Sequence, residues 1–137
     1  VTLSVMNLHD LPNVLNWCKE NYDTWHYTWD WGNHGYQNCL PHFNIVEYPR
    51  NQHIRNLPEE RKKLMNNMLE QQHAKFQNAG LPDWEQWAVD AILGLKNQLN
   101  EQPNEGDWQK YINNTRASDR FRKVNIIDYI PWMEEYM

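Results

Sequence analysis

Cysteine is nearly absent from this chain: two residues in 137, Cys18 and Cys39, set far apart. Such a pair makes neither a disulfide framework nor a paired-cysteine zinc module. It fits a reducing compartment, so the expected location is cytoplasmic. Glycine is scarce too, five residues in all, and none forms a phosphate-cradling motif. G-x-S-x-G is missing, as is any carboxylate pair at an informative spacing. No run approaches the ~20 apolar residues of a membrane span. Long basic runs are also lacking and the net charge is −5, which excludes nonspecific nucleic-acid binding through phosphate contacts.

What the chain does hold is aromatic and amide side chains. Eight tryptophans and 27 asparagines plus glutamines stand among 137 residues. Each tryptophan brings a large apolar area and one N–H that needs a partner. With 40% hydrophobic residues beside them, the amides do not signal disorder. One globular domain spanning 1–137 is expected, long enough to bury a core.

The patterning predicts an α/β fold in which helix dominates. Thr2 to Met6 alternates and is rich in strand formers. Leu11, Val14, Leu15 and Cys18 follow at helical spacing, with Asp10 as the N-cap and Pro12 in the first turn. Trp25, Tyr27, Trp29 and Trp31 then alternate with polar residues until Gly32, a strand pattern with one aromatic face. Strand, helix, strand makes one βαβ unit with parallel pairing. The next stretch reads as a loop with a short extended piece at FNIVEY, Phe43 to Tyr48. Three to four helices follow. One opens with Asn56 and Glu59 in a capping-box spacing and presents Leu64, Met65, Met68, Leu69 and Phe76. A second starts at Pro82 with a stripe of Trp84, Trp87, Ala88, Ala91, Ile92, Leu95 and Leu99. A third is capped by Asp107 and turns Trp108, Tyr111, Ile112 and Thr115 inward, and a short fourth enters at Asp128. Two parallel strands are a poor sheet by themselves, because both edges stay unpaired. Self-association or a missing partner is therefore expected.

Three stretches carry a family resemblance: LSVMNLHDLPNVLNWCKEN, PHFNIVEYPRNQHIRNLPEERKKLMNNML and YINNTRASDRFRKVNIIDYIPWMEEY. In this order they resemble the C-terminal part of twitch-domain radical-SAM proteins of marine viruses and uncultured microbes. The resemblance implies a late barrel strand running into a helix, a loop ending at a Leu-Pro-Glu helix start, and a closing Ile-Pro segment. Enzymes of that group hold an iron–sulfur cluster and SAM through C-x3-C-x2-C, since thiolates are the ligands the cluster requires. Two separated cysteines cannot supply that motif. The resemblance thus implies a cluster-bearing half upstream of Val1, no cofactor in this chain, and no catalysis by these residues alone.

Few candidate sites remain. His26, His34, Cys39 and His42 are the main concentration of metal-ligating types. Their spacing fits no standard zinc module, and His26 is a natural polar position in an aromatic strand, so no metal is assigned. Asn7 and Asp30 fall at the C-terminal ends of the two expected strands, where α/β folds place ligands. Capping and turn formation is the favoured reading of both. The basic run Arg116 to Lys123 could hold an anion or simply form a solvated helix face.

Overall fold

The computed structural model describes residues 2–21, 43–78, 80 and 82–137. It is helix-dominant with one small parallel sheet. Strand β1 (Thr2–Leu3) leads through a 3-10 turn into helix α1 (Leu11–Glu20), and β2 (Asn44–Ile45) pairs with β1 in parallel, Thr2 beside Asn44 and Leu3 beside Ile45. Three longer helices follow: α2 (Glu59–Phe76), α3 (Pro82–Leu99) and α4 (Asp107–Arg122). Between β2 and α2 the chain makes two 3-10 turns, Arg50–Gln52 and Ile54–Asn56. It closes on two more, Ile126–Asp128 and Pro131–Tyr136. None of the described helices is long and apolar enough to cross a membrane.

The partner of β1 is thus the short extended piece within Phe43 to Tyr48. The aromatic stretch Trp25, Tyr27, Trp29 and Trp31 lies outside the described residues. Leu3, Val5, Leu8, Leu11 and Leu15 are buried in one cluster that continues through Ile54, Leu69, Phe76, Ile92 and Tyr111 to Met133. Sheet, helices and closing turns therefore share a core.

Helix α1 begins at Leu11 as its pattern predicts, but Asp10 does not cap it with a side chain. The preceding turn Leu8–Asp10 runs straight into the helix, and the Leu11 N–H donates to the Leu8 carbonyl. Asp10 is left to accept from the Asn13 amide at 2.7 Å. The capping box at Asn56 and Glu59 does not form either. Pro58 stands at the N-cap of α2, while Asn56 is buried and holds two other segments. Its amide donates to the Arg50 carbonyl at 2.7 Å and its oxygen accepts from the Asn104 N–H at 3.1 Å. Glu59 and Glu60 in the first turn, with His73 and Lys75 in the last, offset the helix dipole instead. Leu64 turns out to be exposed, whereas Leu69 and Phe76 carry the buried face with Met65 and Met68 packed against it.

Helix α3 starts at Pro82 and buries Ala88, Ile92, Leu95 and Leu99 as its stripe predicts; the Trp84 side chain lies outside the described set. Reciprocal amide bonds join Asn66 to Asn100 at 2.9 and 3.0 Å, and Lys96 meets Glu70 at 2.7 Å. As positions rise along α2 they fall along α3, so the two helices run antiparallel. Helix α4 takes Gly106, at a φ of 76°, as its N-cap, which places Asp107 one position inside. Glycine suits that left-handed conformation because it has no Cβ to clash. Trp108, Trp132 and Tyr136 gather beside α4, the two indoles stacked at 6.4 Å and Tyr136 edge-on to Trp108 at 5.2 Å. Two guanidiniums fasten the closing segment. Arg61 from α2 donates to the Trp132 carbonyl at 3.2 Å, and Arg116 from α4 donates to the Tyr136 carbonyl at 3.1 Å.

Candidate functional site

The end of β1 is where a ligand is expected, and a cavity of about 520 Å3 opens there. Three pieces of chain frame it. Met6, just past β1, forms one side, and the turn Pro49–Gln52 forms another. The Val5 N–H donates to the Gln52 carbonyl at 3.0 Å, fixing that turn to the strand end. The third side is α4 and the chain after it, from Tyr111 to Tyr129.

The α4 wall has a simple origin. Tyr111, Thr115, Ser118 and Arg122 recur at helical spacing, so they stack along one face. Ile112 is buried in the core, which leaves this polar stripe for the cavity. Lys123 ends the helix in the left-handed conformation, φ 55°, and the Val124 N–H donates back to the Asp119 carbonyl at 3.1 Å. This reversal turns Val124 and Ile126 onto the same cavity. The Asp119 carboxylate accepts from the Ile126 N–H at 2.9 Å and so holds the reversal in place.

Two donors at this wall differ in setting: the Tyr111 side chain is buried and the Arg122 side chain is exposed. The Tyr111 hydroxyl is fully buried. The Thr115 hydroxyl lies beside it and donates to the Tyr111 carbonyl at 2.9 Å. Burial raises the Tyr111 pKa, against the lowering influence of a hydrogen bond with the Thr115 side chain, and the Asp119 charge adds to the rise. Arg122 forms no ion pair with Asp119 or with any other described residue. The basic run Arg116 to Lys123 is therefore divided in its tasks. Arg116 fastens the closing segment, whereas Arg120 and Arg122 are both exposed, Arg122 at the rim of the cavity.

Asn7 lies one residue beyond Met6, and its amide is engaged locally. Its oxygen accepts from the Ser4 N–H at 2.8 Å, and its nitrogen donates to the Thr2 carbonyl at 2.9 Å. Asp30, His26, His34, Cys39 and His42 lie outside the described residues. Among the described residues, no group of three His, Cys, Asp or Glu side chains could hold a metal. Cys18 is buried in α1, and burial pushes its thiol pKa up, against a thiolate ligand role. A second, more open groove of about 700 Å3 lies between β2 and α3, walled by Glu47 and Asp90 with no cation among its lining.

The sequence pattern puts the end of β1 at Met6, whereas the strand stops at Leu3 and residues 5–7 turn, and it misses Tyr111, Ser118 and Arg122 as neighbours on one cavity wall. The signal was present: polar residues at helical spacing in line with a tyrosine that the apolar pattern assigns to the core. No family model, no curated protein and no solved structure matches the chain.

Proposed function

We propose that this chain is the accessory C-terminal portion of a radical-SAM-like protein, completing a barrel or a substrate pocket and performing no catalysis itself. The observation that carries the reading is the sheet. Two strands of two residues pair in parallel across α1, and the described sheet ends there. Parallel strands belong to larger sheets covered on both faces, so the β1–α1–β2 segment reads as one βαβ unit of a bigger barrel. In that setting the cavity past β1 would lie on the side of the sheet where α/β barrels place their chemistry. The iron–sulfur cluster and SAM belong to an upstream half in this proposal.

The test is made on the coding sequence and its product. Read upstream of Val1, the frame should continue into a C-x3-C-x2-C segment, and the whole product should take up an iron–sulfur chromophore and bind SAM. The 137-residue chain alone should stay colourless after anaerobic reconstitution and show no heat of SAM binding. A start codon immediately before Val1, or a chromophore in the short chain, would defeat the proposal.

The same open sheet supports a second reading, a free-standing module that self-associates. Strand β1 carries no Lys, Glu or Pro to blunt its edge, and a two-fold dimer is the simplest closed assembly. Light scattering over a concentration series separates the two, since only this reading requires a dimer of the short chain.

A further inference from the structure

Exposed aromatic area gathers at the mouth of the cavity past β1. Among the described residues, the three most exposed large hydrophobic side chains are Phe121, Tyr48 and Tyr129, at 88%, 87% and 71%. Tyr129 lines the cavity together with Val124, which is also exposed. Tyr48 precedes the lining residue Pro49, and Phe121 stands two helical turns beyond the lining residue Asn114, on the same side of α4. Single apolar residues on a surface need no explanation, but a cluster of them around a concavity marks an interaction site. The charge at this mouth is opposite to that of the chain. Arg50, Arg122 and Lys123 are exposed around it and form no ion pair among the described residues. Asp119 and Asp128 oppose them, and the Asp119 carboxylate is already engaged by the Ile126 N–H. Glu47 lines the other groove. A positive mouth on a chain of net charge −5 selects an acidic partner. Arg122 and Lys123 also offset the dipole at the end of α4, but a helix dipole gives no reason for an aromatic rim.

The shape decides what kind of acidic partner fits. The cavity is concave, with about 520 Å3 of space, which suits one inserted side chain and not a flat bilayer. Its lining combines apolar Met6 and Ile126 with Asn51, Gln52, Asn114 and Ser118, whose amides and hydroxyl can pair with a peptide backbone. We propose that this mouth docks an acidic peptide segment of a partner protein. One large apolar side chain of that segment enters the cavity between Val124 and Tyr129, and its flanking carboxylates face Arg50, Arg122 and Lys123. An aromatic or aliphatic anchor in a pocket with charges at the rim is the usual division of labour at such an interface. The docking surface does not depend on the accessory role, which requires no partner protein.

The probe is an end-blocked pentapeptide, Glu-Asp-Phe-Asp-Glu, added to the isotope-labelled chain and followed by amide NMR. It should shift Ser118, Val124, Ile126 and Tyr129 at roughly millimolar concentration, the range of a single short anchor, and added salt should weaken it. Glu-Asp-Ala-Asp-Glu, without the anchor, and Lys-Arg-Phe-Arg-Lys, with the charge reversed, should leave those signals in place. Arg122→Glu should weaken the acidic peptide roughly tenfold, and Tyr129→Ser should weaken it several-fold. Both positions are exposed, so neither change should move the melting midpoint. Arg120→Glu, on the opposite side of α4, and Leu93→Ser, exposed on the α2–α3 hairpin, should bind as the parent does. The proposal is overturned if the acidic peptide shifts nothing, if the alanine or basic peptide matches it, or if Arg122→Glu or Tyr129→Ser binds as the parent does. It is equally overturned if phosphatidylserine vesicles or oligouridylate displace the peptide from these residues, since a membrane or an RNA is then the better occupant. Should a longer product exist and fail to bind the peptide, its upstream half covers this face and the proposal falls. SAM binding and cluster content do not enter these readouts, so this inference and the accessory role fail separately.

Discussion

The α2–α3 hairpin and the turns between Arg50 and Asn56 are both partly buried, yet they are held in opposite ways. In the hairpin the backbone satisfies itself through regular helical bonds. Its core-facing side chains need only be apolar, as Leu69, Phe76, Ala88, Ile92 and Leu99 are. In the turns the backbone is irregular, so its buried N–H and C=O groups must find partners elsewhere. Here the buried side chains are polar: Asn51, His53 and Asn56, at 4%, 2% and 3% exposure. His53 accepts the Arg55 N–H through Nδ1 at 3.1 Å, and Asn56 ties the Arg50 carbonyl to the Asn104 N–H. Greasy packing fixes the one region and directed bonds fix the other.

Substitutions can break this contrast. The largest loss belongs to the hairpin: Phe76→Ala, at a fully buried position, should cost about 3–5 kcal/mol in urea denaturation. Next comes Asn56→Ala, which leaves the Arg50 carbonyl with only its His53 N–H bond and takes the acceptor from the Asn104 N–H; about 2 kcal/mol is expected. Asn56→Asp keeps the acceptor for Asn104 but sets a buried carboxylate oxygen against the Arg50 carbonyl, so it should cost at least as much as the alanine variant. If Asn56→Ala unfolds at the parent's urea midpoint, the turns are packed like the hairpin and the contrast collapses.

His53 sharpens the contrast through pH. Burial, reinforced by the Arg55 charge, holds its pKa below the ordinary 6.5, against weaker raising influences that include Glu101 and Gln98. The unfolded chain therefore binds the proton more readily than the folded one, and folding stability rises with pH across that window. Stability should be intact above pH 6.5 and decline as the pH falls through and below it, since protonated Nδ1 can no longer accept the Arg55 N–H. Chemical melts at successive pH values test this, and His53→Gln should flatten that part of the profile. A parent profile already flat there would show the ring is not titrating against the fold. The smallest effect is expected on the hairpin's surface. Glu70 is drawn below its ordinary pKa by the Lys96 hydrogen bond, but the pair is solvated, and Glu70→Gln should leave the melting midpoint where it was.

This difference also governs what could be read from the residues. The stripe of α3 and the inward face of α4 at Tyr111 and Ile112 follow apolar periodicity, and their burial matches it. The α1 start at Leu11 was legible for the same reason. The Asn56–Glu59 spacing misled, because a side chain three residues before a glutamate can serve either a cap or a distant loop. Only the tertiary position of Asn104 decides between them. The cavity was half legible: the end of β1 marked its place, whereas Arg122 joins Met6 and Gln52 only through long-range folding. Two-residue strands like Asn44–Ile45 leave almost no period to detect, so the partner of β1 showed as no more than a short extended piece.

The amide pair between Asn66 and Asn100 bears on how the hairpin chooses its alignment. Apolar stripes tolerate sliding, since one leucine replaces another after each turn. If α3 slipped one turn, Asn66 would stand opposite Lys96 and Glu70 opposite Ile92, trading a matched amide pair and an ion pair for a mismatched contact and a carboxylate against a hydrocarbon. The two polar pairs therefore act as a checksum on the antiparallel register. Half of that checksum carries no net charge, so it reads the same at any ionic strength.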